Sequence, residues 1–215
     1  MHEPTLSLLA GWESFYVIIG SSAAALTGLQ FVVIVLGAET GVLRSEVASR
    51  AYATPTVVHF CAVLLLAAVL SAPWHTFMYA ERTLAAGAIL GFLYAATLIV
   101  HARRQTDYKP VLEDWLWHSI FPLIVYAGLA ISALMLEQAP DSALFAIGGL
   151  AIALLFIGIH NAWDSALYLA LQRNTNLEAN QAALRQTAAI ADATMTDVVT
   201  PRDVSATTSS VSESR

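Results

Sequence analysis

The run Ser142-Ala-Leu-Phe-Ala-Ile-Gly-Gly-Leu-Ala-Ile-Ala-Leu-Leu-Phe-Ile-Gly-Ile159, followed directly by His160-Asn-Ala-Trp-Asp164, decides how this chain folds. About 20 apolar residues cross a bilayer core as a helix, so the polar cluster falls where this span leaves the hydrocarbon. Nothing between the two parts stops a helix, which is expected to continue to about residue 172. His160 and Asp164 stand at i and i+4, one turn apart on one face. Ionisable groups at membrane depth usually turn toward other helices and mark functional positions.

Composition supports the same class. The chain of 215 residues is 57% hydrophobic and 12% charged, with a mean hydropathy of +0.64. Soluble domains carry about 25% charged residues, so half that value points to a membrane protein. The net charge of −6 argues against nucleic-acid binding, since no basic stripe is available to displace counterions. The single cysteine, Cys61, lies in an apolar run and is read as a small buried hydrophobe. A disulfide framework is thereby excluded. Residues 1–14 hold no Lys or Arg, whereas a cleaved signal peptide begins with basic residues.

The expected fold is all-α: a bundle of five transmembrane helices with a disordered polar C-terminal tail. An extracytoplasmic segment, 1–14, precedes a membrane domain over 15–172. Its spans fall at about 15–37, 54–72, 83–100, 115–136 and 142–164, and a mostly disordered cytoplasmic tail occupies 173–215. Gly20, Ala24 and Gly28 in the first span, and Gly87, Gly91 and Ala95 in the third, recur every four residues. Such spacing lets helices approach closely in lipid. Packing within the chain is the plain reading, and a homodimer face the alternative. The connection over 38–53 has room for a short interfacial helix at its centre. Pro55 is placed in the first turn of the second span, where its missing N–H costs nothing. Pro122 interrupts the hydrogen-bond ladder of the fourth span and frees the carbonyl of His118. Beyond Leu171 aromatic residues are absent. Leu177, Leu184 and Ile190 suit a weak surface helix ending near Ile190. From Thr194 onward too little apolar surface remains to pack, and disorder is expected.

Positive residues orient the bundle. Arg44, Arg50, Arg103, Arg104, Lys109 and Arg173 flank one set of span ends, against Arg82 alone on the other. The N-terminus is therefore expected outside and the C-terminus in the cytosol. This threading gathers His59, His118, His160, Asp164, Asn161 and Gln30 near the cytoplasmic ends of their helices, with His101 close by.

Three uses of that cluster remain open. The side chains could stabilise the bundle without chemistry, they could relay protons or pass a small ion, or His59, His118 and His160 could ligate a metal or haem. No HxxxH, HExxH, CxxC or CxxCH is present, so metal ligands would have to come from separate helices. Nor is there a GxSxG, a Walker loop or a GxGxxG, and an enzyme is disfavoured. No cofactor is indicated. The expected partners are the lipid bilayer and, as an alternative, further copies of the chain.

Phe15-Tyr-Val-Ile-Ile-Gly-Ser-Ser-Ala-Ala-Ala-Leu-Thr-Gly-Leu-Gln-Phe31, together with His160-Asn-Ala-Trp-Asp164, resembles segments of small multi-span bacterial integral membrane proteins of unassigned function. The likeness covers the first and last spans. It implies a bacterial inner membrane and carries no activity with it.

Overall fold

The computed structural model describes residues 3–39, 46–104 and 115–199. Among these the chain forms five helices and no strand, four of the helices being long and apolar enough to cross a membrane. They are α1 (Glu3–Glu39), α2 (Glu46–Leu70), α3 (Phe77–Arg104), α4 (Leu116–Leu134) and α5 (Pro140–Val199). The expected all-α bundle is what the chain adopts. Within α2 the apolar part, Thr54–Leu70, is shorter than the other four.

Several boundaries differ from the sequence-based expectation, each for a local reason. The first helix begins at Glu3, so residues 3–14 are continuous with the first span. Pro4 is tolerated in a first turn, and no breaker stands between it and the apolar run. At the start of α2 there is no separate interfacial helix over 46–53, because that stretch is continuous with the span. Pro55 accordingly lies inside the helix rather than in its first turn, and cannot bond the carbonyl of Ala51. In α4 the discontinuity at Pro122 takes the form of a π-helical turn over Leu116–Ile120. The Phe121 N–H donates to the carbonyl of Leu116, five residues back, and Pro122 then opens the regular α-helical part. The last helix runs past Ile190 to Val199. Ala182, Ala183, Ala188, Ala189, Ala191 and Ala193 favour that extension through intrinsic propensity. The remaining tail, 200–215, and the connections 40–45 and 105–114 with Arg44 and Lys109 lie outside the described residues.

The chain divides into two compact units, Met1–Ala170 and Leu171–Arg215. In the first, α1 packs chiefly on α2 and α3 on α4. Tyr16, Phe60, Tyr126, Leu144, Ile147 and Leu154 are fully buried at its centre. Its outside is equally apolar. Val32, Val35 and Leu36 on α1, Leu90 and Leu93 on α3, and Phe145 and Phe156 on α5 are each more than half exposed. Water would penalise such a belt by about 25 cal/mol per Å² of apolar surface. Lipid tails solvate it at no such cost.

The short connections close the ends of the helices. Trp74 Nε1 donates to the carbonyl of Val69 at 2.5 Å, satisfying one of the orphan acceptors at the end of α2. The backbone N–H of Glu137, between α4 and α5, donates to the Glu81 carboxylate at 3.3 Å. The α2–α3 and α4–α5 connections therefore share one end of the bundle, as an up-and-down threading requires.

Candidate functional site

Glycines set the spacing at which the interior side chains meet. A Cβ at Gly91 on α3 would fall inside the ring of Tyr126, and one at Gly158 on α5 would collide with Phe60 of α2. A Cβ at Gly20 would stand 2.9 Å from that of Ala67. These three positions have to be glycine if α2 and Tyr126 are to sit where they do.

The same contacts fix relative depth. Gly20 meets Ala67, α1 and α2 run antiparallel, and each residue advances about 1.5 Å. Gln30 and His59 thus lie in one direction from that contact, within about one helical turn of the same level. On the other side of the bundle Phe60 meets Gly158, and the Trp117 ring stacks on His160 with centroids 4.0 Å apart. His59, Asn161, His160, Trp117 and Gln30 therefore occupy one layer at one end of the first unit.

The interior of this layer is polar and incompletely hydrogen bonded. His59 is wholly buried, and its Nδ1 is hydrogen bonded to the Tyr126 hydroxyl at 3.0 Å. Its Nε2 has no partner among the described residues. Asn161 is also wholly buried, with neither amide atom bonded. Gln30 is 3% exposed and leaves its Nε2 unmet. His118 lies within electrostatic reach of His59. The rim is different. His160 Nε2 and Asp164 Oδ2 are 3.2 Å apart, with side chains 28% and 43% exposed. This pair is partly exposed, with Trp117 stacked on the His160 ring.

The expected cluster of His59, His118, His160, Asp164, Asn161 and Gln30 is thus placed at one end, as an inner part and a rim. The side chain of His101 lies outside the described residues, and His75 stands exposed in the α2–α3 connection at the other end. The glycine stripes behave less simply. Of the α1 set only Gly20 meets another helix, while Ala24 and Gly28 are exposed and Gly28 has open space around it. Gly87 likewise meets nothing, Gly91 accommodates Tyr126, and Ala95 is buried. Cys61, expected to be buried, is exposed on the outer face of α2.

Sequence reasoning missed Tyr126, Trp117 and Gly158. A signal for the first was present: a tyrosine in the middle of an apolar span, remote from either interface, needs a partner for its hydroxyl.

Beyond Tyr126, away from the polar layer, lies a cavity of about 70 Å³. Leu66, Val69, Leu84, Leu129, Ala133 and Ile147 make its lining mainly apolar. Small-molecule sites occupy about 300 Å³ or more, so this one is too small for a haem or comparable group. Among the described residues no three His, Cys, Asp or Glu side chains gather where one ion could reach them. Among the described residues, His59, His118 and His160 do not form such a group.

No family model, no curated protein and no solved structure matches the chain.

Proposed function

We propose that this chain is a small, non-enzymatic integral membrane protein whose polar layer accepts protons from the cytosol. In this reading it crosses a bacterial inner membrane five times, with the N-terminus outside. The observation that carries it is the pair of wholly buried side chains, His59 and Asn161, with Nε2 and both amide atoms unmet. Inside a bilayer each unmet polar group costs several kcal/mol. Internal water at this level removes that cost and joins the two side chains.

Imidazole suits the role because one nitrogen can be held while the other exchanges its proton. With Nδ1–H donating to the Tyr126 oxygen, the neutral ring keeps a free lone pair on Nε2. Uptake places the proton on Nε2, while Nδ1–H goes on donating to Tyr126. The half-exposed His160–Asp164 pair is the entry, since a carboxylate beside an imidazole attracts and passes on a proton at the rim. The apolar cavity past Tyr126 offers water too few polar partners to continue the chain. Uptake is consequently one-sided, ending at His59.

The test is ¹⁵N NMR of histidine-labelled full-length protein in vesicles, titrated between about pH 3 and 8 on one face at a time. His59 should change protonation with the pH of the cytosolic face, and Asp164→Asn should slow its exchange. A His59 signal unmoved by the pH of either face, in a protein that remains folded, would leave the layer a purely structural device.

A further inference from the structure

The last helix continues beyond the first unit for 29 residues, Leu171 to Val199, or about 43 Å at 1.5 Å per residue. Leu177, Leu184 and Met195 on this segment are each at least half exposed, the last two 70% and 73%. Their spacing is that of a coiled coil. Leu177, Leu184 and Ala191 recur every seven residues, at the positions called d. Asn174, Gln181, Ala188 and Met195 then occupy a. Leu177 and Leu184, with Ala188, Ala191 and Met195 beyond them, present one seam to a partner helix, interrupted at a by the polar Asn174 and Gln181.

We infer that residues 171–199 pair with the same segment of a second copy in a parallel, two-stranded coiled coil. Three features select that occupant. Leu177 and Leu184 at d stand beside polar Asn174 and Gln181 at a, and polar pairs at a fix register and strand number at a cost in stability. The flanking charges are self-complementary: Arg173 falls at g and Glu178 at the e position five residues on, so each Arg173 faces the other copy's Glu178. The remaining g–e′ pairs, Asn180 with Arg185 and Thr187 with Asp192, contain no like charges. Finally, two copies inserted in one membrane send this segment out through the same face, which imposes the parallel arrangement. Neither His59 nor Asp164 takes part, so the pairing stands or falls separately from proton uptake.

Disulfide trapping of the full-length protein in membranes, in a Cys61→Ser background, tests the pairing. Leu177→Cys and Leu184→Cys should form dimers on mild oxidation. Ala179→Cys and Gln186→Cys, on the opposite face, should give at least about fivefold less, as a single seam requires. Arg173→Glu should lower the Leu177→Cys yield, and adding Glu178→Arg should restore it. Equal trapping around the helix, no trapping at any position, or failure of the double reversal would overturn the proposal. Unchanged membrane insertion and helicity of each variant exclude misfolding as the cause.

Discussion

The His59–Tyr126 hydrogen bond joins α2 to α4 inside the bundle, where neither side chain reaches solvent. Measured side-chain hydrogen bonds between membrane helices average about 0.6 kcal/mol and reach about 1.7. A double-mutant cycle of His59→Leu and Tyr126→Phe in a reversible detergent unfolding assay should give a coupling within that range. No coupling would mean that the pair is geometric only. Asn161 separates the packing role from the chemical one. In the proposed layer water, and no other side chain, meets the Asn161 amide, so Asn161→Leu should change stability by less than about 1 kcal/mol. The same substitution should weaken the response of His59 to cytosolic pH, because the water between them loses its anchor. A clear loss of stability would instead show that Asn161 is satisfied by something that holds the bundle together.

Among the elements, glycine positions differ sharply in what they tolerate. Gly91→Ala and Gly158→Ala force Tyr126 and Phe60 aside, and each should cost about 1–3 kcal/mol, the usual range for overpacking. Gly28→Ala and Gly87→Ala meet open space and should change thermal stability in detergent by less than about 0.5 kcal/mol. Equal effects at all four would contradict the packing described. The contrast also shows where sequence reasoning reaches its limit. Small residues every four positions announce that some helix face can come close, and both stripes do contain one glycine in tight contact. Which glycine makes that contact depends on how each helix is rotated about its axis, and an apolar span with no polar face leaves that rotation undetermined. Gly158 was missed for the same reason. Helix starts were less legible: α1 begins 12 residues and α2 8 residues before the expected spans, because Pro4 and Pro55 are compatible with helix on both sides.

For the molecule as a whole, the pattern of long apolar runs and sparse charge was enough to read an all-helical bundle and the gathering of His59, His118 and His160 at one end. Depth follows from counting residues along helices, which sequence supplies directly. Burial and partnering do not, and the division into a buried polar inner part and a partly exposed rim emerged only with the tertiary contacts. Orientation still rests on the distribution of Arg and Lys, and the number of crossings on α2, whose apolar part spans only Thr54–Leu70. At about 1.5 Å per residue that part covers about 25 Å, enough for a slightly thinned core. If α2 failed to cross, His59 would not reach the layer from the side proposed. Sidedness can be measured directly by labelling Glu3→Cys, His75→Cys and Gln186→Cys, each in a Cys61→Ser background, with a membrane-impermeant maleimide. Glu3→Cys and His75→Cys should react in intact cells and Gln186→Cys only after the membrane is opened. Labelling of Glu3→Cys and His75→Cys from opposite sides would contradict five crossings and remove the route from the cytosol to His59.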